Sequence, residues 1–264
     1  MRSVLIEPIE AFSDNYIWLL HDGHTALVVD PGDAAPVIAA LRSRQLQLAA
    51  ILVTHHHGDH VGGLRDLLDR WPVPVHGPAR EPIAGVSHRL NEGDEVAVYA
   101  LDARFRVLDV PGHTAGHIAY YAERLPGRAA PALFCGDTLF SAGCGRLFEG
   151  TAAQMMQSLA KLAALPADTE VYCTHEYTLS NLAFAAAAEP VNAARDAYAA
   201  WCRGRRDALQ PTLPSSIGRE KAINPFLRCE LRPVADAVTA HAGTALPTAL
   251  DVFAAMRQWK NSFR

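Results

Sequence analysis

The sequence predicts an α/β layered protein with a helical C-terminal region. Short runs of β-branched and apolar residues recur through its first part, separated by turn residues, and helix-length stretches with apolar residues three and four apart fall between them. From about Thr151 the composition becomes rich in Ala, Leu and Met, which favours helix.

Residues 4–6, 16–20 and 26–29 read as strands. Ser13-Asp14-Asn15, His21-Asp22-Gly23 and Asp30-Pro31-Gly32 stand between or after them, with the residue types that tight turns require. Residues 35–44 read as a helix and the apolar run 49–53 as a strand. Residues 63–70 carry Leu64, Leu67 and Leu68 at helical spacing, and Trp71-Pro72 ends that helix. Strand character returns at 73–76, 95–99, 105–110, 131–135 and 170–173. Residues 152–165 suit a helix with Thr151 as its N-cap. Residues 180–189 and 192–206 read as Ala-rich helices broken by Pro190, and 231–242 and 248–260 as two more. A boundary near Tyr177 therefore divides a layered domain, 1–177, from a helical region, 178–264.

Half of the 264 residues are hydrophobic, 20% are charged and the formal net charge is -4, the composition of an ordinary soluble protein. Such mild acidity offers no global attraction for nucleic acid or an anionic membrane, so neither partner is expected. Glu7, Glu10 and Asp14 interrupt any signal-peptide core, and no apolar stretch reaches membrane length. The five cysteines, Cys135, Cys144, Cys173, Cys202 and Cys229, form no C-x-x-C pair. Neither a disulfide framework nor a thiolate zinc site is expected, and reduced thiols point to the cytoplasm.

The most informative segment is Thr54-His55-His56-His57-Gly58-Asp59-His60, directly behind the 49–53 strand. Side chains of an extended segment repeat with period two, so His55 and His57 can face one point while His56 faces away. Gly58 then redirects the chain, allowing Asp59 and His60 to face a second, adjacent ion. Three further strand-like runs also end in metal-ligating residue types. His113 follows 105–110, Asp137 follows 131–135, and His175 follows 170–173. A lone histidine after a strand is usually structural, but four strand ends presenting His and Asp together form a constellation. His117 fits equally well as a support for a ligand or as a structural residue.

These residues resemble the metallo-β-lactamase fold hydrolases, with their T-H-x-H-x-D-H loop, and among them the hydroxyacylglutathione hydrolases, or glyoxalase II. The resemblance runs through Asp14-Asn15-Tyr16, residues 54–60, Pro111-Gly112-His113-Thr114, Gly136-Asp137-Thr138-Leu139-Phe140, Gly143-Cys144-Gly145, Thr174-His175-Glu176-Tyr177 and Asn224-Pro225-Phe226-Leu227-Arg228. It implies an αββα sandwich of two sheets with helices outside. It also implies two divalent cations, with zinc as the leading expectation and iron or manganese as alternatives. His55, His57 and His113 would hold one cation, Asp59, His60 and His175 the other, and Asp137 would bridge them.

The activity implied is hydrolysis of S-D-lactoylglutathione, or a similar 2-hydroxyacylglutathione, to glutathione and D-lactate. A metal-bridging hydroxide would be the nucleophile, and Asp59 and Asp137 the catalytic carboxylates. No protein nucleophile is then needed, so Cys144 reads as a packing residue. By the same resemblance Arg146, Tyr177, Arg257 and Lys260 would bind the glutathione thioester and the helical region would serve substrate binding. A monomer is the default expectation, since nothing in the sequence points to an oligomer. Two positions depart from the family: Arg146 stands where a Lys is usual, and Phe148 replaces a Tyr and cannot donate a hydroxyl hydrogen bond. The alternatives are a mononuclear iron persulfide dioxygenase and a non-catalytic protein whose histidines only stabilise the fold.

Overall fold

The computed structural model describes residues 2–263. The first sheet contains β1 (Leu5–Ala11), β2 (Asn15–His21), β3 (Thr25–Val29), β4 (Gln47–Leu52), β5 (Val75–Pro78) and β6 (His88–Leu90), adjacent in that order. The first three pair antiparallel; β3 to β6 run parallel. The second sheet is built on β7 (Glu95–Val98), β8 (Ala103–Asp109), β9 (Ile118–Ala122) and β10 (Ala132–Gly136). After β10 comes a short hairpin of β11 (Leu139–Phe140) and β12 (Gly143–Cys144). Strand β13 (Glu170–Cys173) pairs parallel with β10, and β14 (Ser215–Ser216) closes that edge.

Period-two alternation explains the layering. In β2, Trp18 and Leu20 join one apolar cluster while Ile17 and Leu19 join another; in β3, Leu27 and Val29 part from Ala26 and Val28 in the same way. The first cluster lies against the second sheet, where Phe105, Val107, Tyr120 and Phe134 meet it. Trp18 and Tyr172 cross edge-on at 4.9 Å between the sheets. The second cluster faces α1 (Ala34–Ser43) and, beyond the four-residue α2 (Gly58–Val61), α3 (Leu64–Leu68), through Val37, Leu41, Leu64 and Leu67. A strand apolar on both sides must be covered on both, which yields helix, sheet, sheet, helix.

Helix α4 (Ala152–Ala163) packs Met155, Leu159 and Leu162 into the first cluster and starts in a capping box formed by Thr151 and Gln154. The chain then builds α5 (Thr178–Ala188), α6 (Ala193–Asp207), α7 (Ile217–Ile223), α8 (Arg232–Ala242) and α9 (Ala249–Ser262). Leu182, Ala185, Tyr198, Cys202 and Ile223 enclose Ala142, fastening α5, α6 and α7 to the β11–β12 hairpin. Asn224 adds hydrogen bonds from its amide to the carbonyls of Phe140 (3.2 Å) and Gly143 (2.9 Å).

The expected helices appear, each within a few residues of its expected limits, and β13 spans 170–173 as read. The strand expected at 73–76 begins instead at Val75, because Pro72 and Pro74 lack the N–H that a ladder needs. Strands β6, β9 and β14, the β11–β12 hairpin and α7 add to the expected elements, and the short helix α2 forms where a loop was expected after Gly58. No described helix is long and apolar enough to cross a membrane.

Candidate metal centre

All the donors singled out in the sequence sit just beyond strands, on one rim of the sandwich. Strand β4 leads into His55 and His57, and α2 carries Asp59 and His60. Strands β8, β10 and β13 lead to His113, Asp137 and His175. The parallel β10–β13 ladder ends with Gly136 opposite Cys173, which sets Asp137 and His175 side by side. Gly136 has φ +47°, and a Cβ there would lie 2.3 Å from Thr54 Oγ1 and 2.8 Å from the His117 ring, so only glycine lets this strand end approach the histidine loop.

His55 Nε2 lies 3.1 Å from His57 Nδ1, and His113 Nε2 lies 3.0 Å from that same atom. His113 Nδ1 donates to the Arg146 carbonyl at 2.8 Å, which leaves a lone pair on its Nε2. One proton on His57 cannot serve both neighbours linearly, whereas a cation at their common focus would accept all three lone pairs. Burial holds the imidazoles of His55, His57 and His113 below their ordinary pKa and so favours the neutral, ligating form.

On the other side, Asp59, His60 and His175 bring one ligand atom each within 4.8 Å of one another. His175 Nδ1 donates to Asp14 Oδ1 at 2.8 Å, which turns its Nε2 toward Asp59 and Asp137, each 3.4 Å away. His60 Nδ1 lies 3.0 Å from Asp30 Oδ2, too obliquely for a regular hydrogen bond, and its Nε2 lies 3.3 Å from Asp137 Oδ1. Asp137 stands between the two sets, its Oδ2 3.5 Å from His113 Nε2. Burial pushes the Asp137 carboxyl up, but His60 and His175 overcome it and hold the group well below the usual carboxylate range. Both His60 Nε2 and Asp137 Oδ1 are buried without a hydrogen-bond partner. Buried polar atoms are seldom left this way. Oxygen and imidazole donors with unused lone pairs suit divalent cations, so the residues fit a metal centre.

A cleft of about 860 Å³ opens over His57, Asp59 and Asp137. Its other wall carries the remaining expected contacts, Arg146, Tyr177, Arg257 and Lys260, together with Phe148. Arg257 is buried and donates to the Cys144 carbonyl at 2.7 Å, with its Nε unpaired. Lys260 is half-buried beside Arg257, and burial lowers its amine to about 8. Burial raises the Cys144 thiol, which suits a packing role better than a nucleophilic one. A larger cleft of about 970 Å³, lined by Arg104, Arg106 and Arg128, lies away from every donor, so size alone does not locate the chemistry.

Several supporting residues were not singled out as functional in the sequence. Asp30 read as a turn residue, yet it accepts from the Thr54 N–H and hydroxyl at 2.7 Å each and faces His60. Asp14 read as a turn residue shared with the family and orients His175, while Asn15 donates to Asp59 at 3.1 Å. A carboxylate at the end of a buried strand, as Asp30 is after β3, was the available signal. His117 stacks on His55 at 4.5 Å and accepts from the Asp137 N–H at 3.1 Å, so it supports both neighbours.

Residues 12–175 match the metallo-beta-lactamase superfamily, and residues 176–263 match the hydroxyacylglutathione hydrolase C-terminus. The hydroxyacylglutathione hydrolase of Cupriavidus taiwanensis is 57% identical over 266 residues, covering 98% of this chain and 99% of that protein. The protein of the same name from Nitrosomonas europaea is 50% identical over 257 residues, covering 97% and 95%. Among solved structures, ETHE1 from Myxococcus xanthus superposes with a TM-score of 0.64 at 25% identity, covering 95% of this chain and 96% of that one. With the donor-bearing sandwich and the helical region both matched, this chain belongs to the hydroxyacylglutathione hydrolase family of the metallo-β-lactamase superfamily.

Proposed function

We propose that this protein hydrolyses S-D-lactoylglutathione and related 2-hydroxyacylglutathione thioesters to glutathione and the free hydroxy acid, using two divalent cations, zinc foremost. The observation that carries this reading is the convergence of His55, His57, His113, Asp59, His60, His175 and Asp137 beside a basic cleft. His55, His57 and His113 would hold one cation, Asp59, His60 and His175 the other, and Asp137 would reach both through its two oxygens. Cations in this pocket supply Lewis acidity, lowering the pKa of water from about 15.7 toward about 7 and offsetting negative charge at the thioester carbonyl.

The chain's own residues do the positioning. Asp14, Asp30 and the Arg146 carbonyl each face the Nδ1 of a histidine, so that the Nε2 lone pairs of His175, His60 and His113 aim into the pocket. Arg146 and Lys260 offer positive charge to the carboxylates of glutathione, and Arg257 adds to that wall while it holds the Cys144 carbonyl. The Tyr177 hydroxyl is a hydrogen-bond donor for the same ligand. A thiolate whose parent thiol has a pKa of about 8.5 leaves readily, so no protein acid is required to protonate it. The five buried, unpaired cysteines suit a reducing compartment, and we place the protein in the cytoplasm as a monomer.

The test combines metal analysis with release of free thiol from S-D-lactoylglutathione, before and after chelation. Two equivalents of metal and chelator-sensitive thiol release are expected. Metal-loaded protein that releases no thiol would refute the reading, and oxygen uptake with glutathione persulfide would favour the dioxygenase instead.

A further inference from the structure

Outside the donors, a second cluster joins His56, Glu81 and Glu149. It resembles a third cation site, but its oxygens are already engaged. Glu81 Oε1 accepts from the Thr114 hydroxyl and from the Gly116 N–H at 3.1 Å, and Glu81 Oε2 accepts from His56 Nδ1 at 2.9 Å. Glu149 Oε2 accepts from the Ala115 N–H at 2.8 Å, and its Oε1 lies 3.3 Å from His56 Nε2. The cluster is a hydrogen-bonded strap rather than an open cage.

Its partners come from two loops that belong to different sheets. His56 lies between His55 and His57 on the loop after β4; Thr114 and Gly116 follow His113 on the loop after β8. At their roots the loops are joined by the Ile118 N–H to Thr54 carbonyl bond at 3.0 Å. Further out, the Glu81 carboxylate spans them. Glu81 is only 3% exposed, and a buried carboxylate is costly unless its oxygens are satisfied. Here the donors that satisfy it sit one to three residues from His55, His57 and His113. The backbone makes room for it, since a Cβ on Gly116 would fall 2.6 Å from Glu81 Cγ. The Arg89 guanidinium fixes the segment from behind by donating to the Glu81 carbonyl at 3.2 Å.

We propose that Glu81, through His56 and the 114–116 backbone, is a positioning residue that sets the spacing of the three histidine nitrogens and thereby the cation affinity of that site. The inference rests on the two-cation reading above. Partners bonded directly to a ligand change metal affinity by about 10- to 100-fold when removed, and Glu81, acting one residue further out, is expected to reach only the lower end of that range.

The test titrates metal-free protein with Zn2+ against a chromophoric chelator and records the visible spectrum of the Co2+-loaded form. Glu81→Gln turns one accepting oxygen into a donor. His56→Ala removes the bridging ring at a position whose side chain is 30% exposed, where folding should tolerate the change. In both variants one of the two equivalents is expected to weaken by up to about 10-fold. The other equivalent stays near the parent in both variants, the metal-free melting temperature stays near the parent in the partly exposed His56→Ala, and the Co2+ spectrum changes. Two unchanged affinities overturn the proposal, as does equal weakening of both sites with a lower metal-free melting temperature. Failure of the two-cation reading is distinguishable, because the parent itself then binds fewer than two equivalents, and the strap falls with it.

Discussion

Tyr177 lies flat against His175, with ring centroids 4.6 Å apart and planes 3° from parallel. The stack braces an imidazole that faces Asp137 while leaving the tyrosine hydroxyl at the cleft. Tyr177→Phe keeps the ring pair and removes only a donor. Its KM is expected to rise by no more than about 10-fold, matching a lost neutral hydrogen bond of about 0.5 to 1.5 kcal/mol, with kcat and metal content near the parent. Tyr177→Ala also removes the stack and is expected to lower kcat. Steady-state kinetics with metal analysis separates the two effects.

Phe148 is 62% exposed and sits edge-on to His57 and His113 at 5.5 and 5.3 Å. Phe148→Tyr restores a hydroxyl at the mouth of the cleft without disturbing either contact. A gain of about 0.5 to 1.5 kcal/mol, or up to about a 10-fold fall in KM, is expected. An unchanged KM would mean that glutathione makes no use of a donor at this point.

Lys260 should impose a pH dependence on binding. Burial and the nearby charge of Arg257 lower its amine to about 8, so the ammonium is present below that pH and lost above it. KM for a carboxylate-bearing substrate is expected to rise as pH passes through 8, and Lys260→Arg to flatten the profile because guanidinium stays charged. The sign for stability is the opposite. Between about 8 and the ordinary 10.5 the unfolded chain holds a proton that the folded one has shed, so this group's contribution to stability grows with pH.

Glu220 is fully buried and accepts from the Ser215 hydroxyl, the Ala142 N–H at 2.8 Å and the Asn224 amide at 3.0 Å. Ala142 has φ +55°, an unfavourable value for a residue with a Cβ, so this contact helps hold the hairpin tip. Glu220→Ala leaves several buried donors unpaired and should cost about 3 kcal/mol, read as a lower urea midpoint with an unchanged slope. Glu220→Gln should cost less.

What was legible in the sequence was local. The 54–60 loop could be read because four donors of two residue types, His and Asp, fall in one short run behind a strand, and the helices because caps and apolar spacing lie within a few residues of each other. Glu81 could not be read, since its partners Thr114 and Gly116 are distant in sequence and its own segment has neither helical nor strand periodicity. Asp14 and Asp30 looked like turn formers because turn chemistry and carboxylate support use the same residue type. Strand β9 is buried along its whole length, so it lacks the alternation that marks a half-exposed strand.

The donors stand on the loops after the strands and on α2, whereas Arg257 and Lys260 ride on α9 and reach the cleft from there, Arg257 donating to the Cys144 carbonyl. On the proposed reading, part of substrate recognition is carried by a stretch of polypeptide that holds no metal donor, while Arg146 and Tyr177 contribute the rest from beside the donors. A substitution confined to that helix would then retune affinity for the thiol carrier and leave every donor in place.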